Sequence, residues 1–159
     1  MSFDDWMLAL HVLSAFALVA GLVFFWVIVI AVRRTDTPGD TLRLGPLTRV
    51  AEAAVGIGMG GTIVFGVWLA FSVGGYDIWD GWIIAALVLW AIAARLGQGA
   101  SAAYVASVKK AQELQTGGQS GPSAELRTLN RTPRGVLMHS LASLVVLLIV
   151  IDMVWKPGA

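Results

Sequence analysis

The fold of this chain is decided by its first apolar stretch, Trp6-Met-Leu-Ala-Leu-His-Val-Leu-Ser-Ala-Phe-Ala-Leu-Val-Ala-Gly-Leu-Val-Phe-Phe25. The stretch continues to Val32, where Arg33 and Arg34 end it. A helix over residues 4–32 would be ~43 Å long, whereas ~30 Å is enough to cross the hydrocarbon core of a bilayer. The sequence therefore predicts that this segment is a transmembrane helix.

The composition places the whole chain in a membrane. It is 57% hydrophobic and only 13% charged, whereas about a quarter of an ordinary soluble domain is charged. Cysteine is absent, which excludes disulfides and thiol chemistry. The net charge of +1, with no basic patch interleaved with aromatic residues, argues against a nucleic-acid partner. We expect one transmembrane domain over residues 1–159, with the lipid bilayer as its surroundings.

Three further apolar segments complete the predicted architecture. Helices are expected over about 46–73, 79–115 and 133–155, in addition to 4–32. Pro46 and Pro133 are typical of the first helical position. Ser123 could cap a short helix between the third and fourth spans. The predicted fold is an all-α integral membrane four-helix bundle with two cytoplasmic loops.

The basic residues predict the orientation of the bundle. The two longer connections carry nine lysines and arginines, and the opposite side has Lys156 alone. Short loops rich in Lys and Arg stay in the cytoplasm. Both termini are therefore expected on the outer side of a cell inner (plasma) membrane, as in a multi-pass protein.

His11 is the imidazole inside the first apolar stretch. Met7, His11 and Ser14 share one helix face through i, i+4 and i+7 spacing, and Asp152 on the fourth span is expected at a similar depth. His11 could be a neutral imidazole bonded to Ser14, Asp152 or a carbonyl. It could instead be an axial ligand of haem b or, as a less favoured choice, a copper ligand, because neutral imidazole is a common metal ligand. Binding of no cofactor remains a third alternative.

A second polar group is predicted near the cytoplasmic face. His139 should lie about 18–20 Å from His11 along the membrane normal, so the two cannot ligate one metal within one chain. The group is interpreted either as a network that locks the bundle, with Arg95 and Glu52 as its ion pair, or as a site for an anionic group such as a haem propionate or a lipid head. Its members are Glu52, Arg95, Gln98, His139 and Ser143.

The second span is rich in glycine. Gly56 and Gly60 form a Gly-x-x-x-Gly pair, which allows close approach of another helix. The alternative is that a flat cofactor lies on this face.

The first helix also carries a family resemblance. The pattern Trp6-x4-His11-Val-x-Ser-Ala15, followed by Gly21-Leu and Phe24-Phe25, resembles small membrane proteins related to copper-resistance protein D, among them the HemJ-type protoporphyrinogen oxidases. The whole chain is similar to a bacterial family of four-helix integral membrane proteins of unknown function in that superfamily. The resemblance implies haem binding at His11. The third-helix lysine of the oxidases has no counterpart here before Lys109, so the resemblance does not extend to protoporphyrinogen oxidation.

Two functions follow as expectations. The first is haem or copper binding through His11, for electron transfer or cofactor handling. The alternative is a non-catalytic membrane subunit or scaffold that forms a homo-oligomer, or joins a larger membrane complex, through small-residue helix faces. No phosphate-binding loop, metalloprotease helix or Ser/His/Asp arrangement is detectable, so enzyme activity is not expected.

Overall fold

A computed structural model describes residues 2–74 and 77–157, and every regular element in this part is a helix. The five helices are α1 (Phe3–Val32), α2 (Pro38–Ser72), α3 (Gly81–Thr116), α4 (Ala124–Asn130) and α5 (Pro133–Trp155). Four helical segments are long and apolar enough to cross a membrane, with α4 and α5 counted as one. The all-α, four-span prediction is confirmed, and the orientation of the termini stays a prediction.

Helix α1 begins with a capping box. Ser2 Oγ accepts a hydrogen bond from the Asp5 backbone N–H at 3.2 Å, and the Asp5 carboxylate accepts one from the Ser2 N–H at 2.6 Å. Two backbone donors without partners inside the helix are thereby satisfied. The helix then runs without interruption to Val32.

Helix α2 starts at Pro38, so the predicted start near Pro46 is wrong. Thr37 Oγ1 accepts from the Asp40 N–H at 3.3 Å, which caps the helix ahead of Pro38 in its first turn. Pro46 lies within the helix on an exposed face. A proline there removes one backbone hydrogen bond, but the helix already begun at Thr37 continues through it.

The spans form two antiparallel pairs. Helix α1 packs along α2, and α3 packs along α5; α2 and α3 join the pairs, whereas the backbones of α1 and α5 approach each other at few positions. Glycines allow α1 and α2 to approach closely: a Cβ atom on Gly58 would lie 2.6 Å from Leu18 Cα, and one on Gly61 would overlap Ser14. We call the end of the bundle with the 33–37 connection and α4 the loop side, and the opposite end the terminal side.

Helix α4 ties the two connections on the loop side together. Ser123 caps it, as predicted, by accepting from the Leu126 N–H at 3.4 Å. Leu126 is completely buried, and Arg127 forms a 2.6 Å ion pair with Asp36 in the α1–α2 connection. The buried Leu126 side chain and the Arg127–Asp36 salt bridge therefore hold the two connections together.

Candidate functional site

His11 lies in the interface between α1 and α2. Its ring rests on Gly66, where an added Cβ would be 2.9 Å from the ring Cε1 atom. The Thr62 backbone is the hydrogen-bonding group beside the imidazole. Nδ1 is buried and makes no well-formed hydrogen bond to the part of the chain that the structure describes. A glycine at position 66 is what gives the ring its space.

The polar residues predicted to bond His11, Ser14 and Asp152, form no hydrogen bond or ion pair with it in the part of the chain that the structure describes. The Ser14 hydroxyl donates to the Leu10 carbonyl at 2.7 Å, so it does not bond the imidazole. Asp152 makes no ion pair with His11 within the described residues, and its Oδ2 atom is buried there without a partner. Met7 is half-buried on α1. The predicted His11–Asp152 contact is therefore not formed.

The ring of His11 has the α2 backbone along one side, where it is seated against Gly66. Across residues 2–74 and 77–157, no three His, Asp or Glu side chains come together as a metal-binding group. The buried Nδ1 atom, which makes no well-formed hydrogen bond to the described residues, is the feature that suits a ligand. Haem or copper binding stays a prediction.

The predicted polar network is divided in the structure. Glu52 accepts a 2.5 Å hydrogen bond from Ser101. Arg95 and Gln98 are exposed on α3 and make no hydrogen bond or ion pair to any described residue. The expected Arg95–Glu52 ion pair is therefore not formed, because the Arg95 side chain lies on the outer surface of α3.

His139 lies in an aromatic cluster instead. The side chain is 3% exposed, and its ring centroid is 5.0 Å from that of Phe25 and 4.8 Å from that of Trp26. Trp26 Nε1 donates to Ser143 at 3.1 Å, so His139 and Ser143 hold α5 to α1. Tyr104 packs edge-on against Phe25 at 5.0 Å and adds α3 to the cluster. This arrangement gives His139 a packing role.

Gly56 and Gly60 lie on the outer surface of α2. Both are exposed, and no atom lies within 4 Å of a Cβ built on either one, outside the excluded helix backbone and chain neighbours. The α2 glycines that pack against α1 are Gly58, Gly61 and Gly66. The Gly-x-x-x-Gly pair therefore takes no part in packing among the described residues.

Asn130 is a buried polar residue that was not predicted from the sequence. Its side chain is 6% exposed, and Nδ2 contacts the Thr35 carbonyl, Thr35 Oγ1 and Thr41 Oγ1, each at 3.2 Å. Its Oδ1 atom is buried without a partner among the described residues. Asn130 also lines a cavity of about 10 Å³ with Tyr104 and Ser107, room for about one water molecule. The sequence pattern does not predict this burial, because a single uncharged asparagine close to Arg127 and Arg131 shows no hydrophobic periodicity.

These features define the class of the protein: an all-helical bundle with four segments able to span a membrane, which fits a multi-pass membrane protein. Comparison with protein-family models, with curated proteins and with solved structures finds no match to the chain.

Proposed function

We propose that this protein is a non-catalytic membrane subunit that associates with further copies of itself through the outer surface of α2. The observation that carries the proposal is the exposure of Gly56 and Gly60, with open space at both Cβ positions. In a bilayer, helices associate by close van der Waals packing, and small residues permit it.

The burial of the spans supports the choice of α2. Only 6% of its most apolar window is buried in the chain, compared with 33% for α1. The exposed surface near the glycines also carries Ile57 and Val64, at 69% and 62% exposure. Glycines flanked by β-branched residues form a shallow groove with ridges, which a second α2 helix can match.

Haem binding through His11 is the second candidate. It is supported by the buried Nδ1 atom, which has no well-formed hydrogen bond to the described residues although the Thr62 backbone lies beside the ring. Helix α2 lies along one side of the ring at Gly66, which leaves less room for a flat cofactor there. Self-association is therefore the proposal that the geometry favours.

The test of self-association compares two small-to-large substitutions on the exposed faces of the two paired helices α1 and α2. Gly60→Leu places a bulky side chain on the proposed interface, and Ala20→Leu places the same side chain on the exposed face of α1. Because α1 and α2 are antiparallel and Leu18 contacts Gly58, Ala20 lies about 6 Å, one helical turn, from the level of Gly60. The assay is the oligomeric mass of the protein in lipid nanodiscs or mild detergent.

We expect Gly60→Leu to dissociate the oligomer and Ala20→Leu to leave it intact. The monomer fold should survive Gly60→Leu, because the site is open and leucine favours helix by about 1 kcal/mol over glycine. Circular dichroism provides that control. A monomeric wild-type protein, or an unchanged oligomer in Gly60→Leu, would refute the proposal.

A further inference from the structure

Arg95 is an exposed charge inside an apolar span. It lies on the outer surface of α3, one turn from Ile92 and two from Val88, which are 43% and 53% exposed. No described residue gives it a hydrogen bond or an ion pair. The guanidinium therefore has no counter-charge within this part of the chain.

The position of Arg95 along α3 places it within the bilayer. At 1.5 Å per residue it lies about 21 Å from the start of the helix at Gly81, less than the ~30 Å of the hydrocarbon core. Ser101, which bonds Glu52, lies about 30 Å from Gly81 and so marks the loop-side edge of the core. An unpaired arginine within the lipid is energetically costly, so a compensating anion is expected.

Gln98 extends the polar surface toward that edge. It follows Arg95 by three residues, so both side chains lie on one helix face, and Gln98 is likewise exposed without a partner in the described ranges. The pair offers a planar guanidinium fork and an amide N–H₂ group. A guanidinium matches the geometry of a phosphate and binds it through two parallel hydrogen bonds.

Charge complementarity identifies the occupant. A second copy that presented the same face would bring Arg95 against another Arg95. The carboxylate of Glu52 accepts a hydrogen bond from Ser101 and forms no ion pair with Arg95. Free inorganic phosphate would have to enter a surface formed by Ile92 and Val88, which is unfavourable for a hydrated anion. A lipid phosphate can instead approach from the membrane edge, with its acyl chain along these apolar residues.

We propose that Arg95 and Gln98 bind the phosphate of an anionic phospholipid in the leaflet on the loop side. The arginine extends toward the interface and the lipid head is drawn slightly inward, the way that charged side chains inside bilayers are accommodated. A zwitterionic lipid binds more weakly because its own ammonium neutralises its phosphate. The site is on α3, so it does not depend on association through α2.

The test measures lipid retention on the full-length protein by native mass spectrometry and thermal unfolding in detergent. The probes are phosphatidylglycerol, phosphatidylcholine and inorganic phosphate. The variants are Arg95→Gln and, as a control that also removes one positive charge, Arg43→Gln at a residue 84% exposed on the loop side. Arg95→Lys tests whether the fork matters beyond the charge.

We expect wild type and Arg43→Gln to retain phosphatidylglycerol and to unfold at a higher temperature with it than with phosphatidylcholine. Inorganic phosphate should give no such stabilisation. Arg95→Gln should weaken retention about tenfold or more, as for loss of a charge-assisted hydrogen bond, and Arg95→Lys should fall between. Equal retention of both lipids by wild type, or unchanged phosphatidylglycerol retention in Arg95→Gln, would overturn the proposal. Weaker self-association in Arg95→Gln under lipid-free conditions would assign Arg95 to a protein interface instead.

Discussion

Two glycines that are two residues apart on α2 should respond in opposite directions to a single methyl group. A Cβ on Gly58 would lie 2.6 Å from Leu18 Cα and 2.7 Å from Leu18 Cβ. Because backbone atoms cannot rotate away, α1 and α2 must separate, at an overpacking cost of about 1–3 kcal/mol. A Cβ on Gly60 meets nothing within 4 Å.

Alanine also stabilises a helix by about 1 kcal/mol relative to glycine. For the dissociated chain, Gly60→Ala should therefore gain about 1 kcal/mol, whereas Gly58→Ala should be neutral or lose up to about 2 kcal/mol once this gain is subtracted. The assay is reversible unfolding in mixed micelles, followed by circular dichroism, on both variants, diluted until the protein is monomeric so that the proposed α2 interface does not contribute. If Gly58→Ala proved as stable as Gly60→Ala, the close α1–α2 packing would be incorrect.

Three further predictions concern other parts of the chain. Asn130→Ala should destabilise the fold by about 1–3 kcal/mol, because the buried oxygens of Thr35 and Thr41 lose their donor, and it should hasten proteolysis near Gly118; unaltered cleavage would contradict the role of Asn130. His11→Gln should change stability by only ~1 kcal/mol, and if wild type binds haem, the variant should lose its Soret absorbance; haem retained by His11→Gln would exclude His11 as the ligand. Single cysteines at Gly39 and Gly118 should resist an impermeant thiol reagent in intact cells, and one at Asp77 should react; the reverse pattern would invert the proposed orientation.

The spans could be predicted from the sequence because membrane helices depend on length and apolarity. The segment 4–32 was expected and α1 covers Phe3–Val32. The start of α2 was harder to predict. Thr37 and Asp40 cap the helix ahead of Pro46, in a charged, proline-containing stretch of a kind that is typical of a loop. The Thr37–Asp40 hydrogen bonds and Pro38 in the first turn mark that boundary, and no hydrophobic periodicity accompanies them.

The partners of the polar residues could not be predicted from depth alone. Glu52 and Arg95 were expected to pair because they lie at similar depths. Side chains at one depth can nevertheless point in different directions around a helix. Arg95 points outward, and Ser101 is the residue that meets Glu52. The same limit applies to the glycines. Sequence spacing identifies Gly56 and Gly60 as a pair. In the structure, Gly58 and Gly61 of α2 are the glycines that contact α1, whereas Gly56 and Gly60 face open space.

Disulfide cross-linking at Gly60 in native membranes tests the proposed self-association most directly. The chain contains no cysteine, so a single Gly60→Cys substitution provides one thiol on the α2 surface, and Ala20→Cys provides the matched thiol on the exposed face of α1. Under mild oxidation, we predict covalent dimers of Gly60→Cys and none of Ala20→Cys. Absence of dimers from Gly60→Cys, or equal yields from both variants, would contradict association through α2.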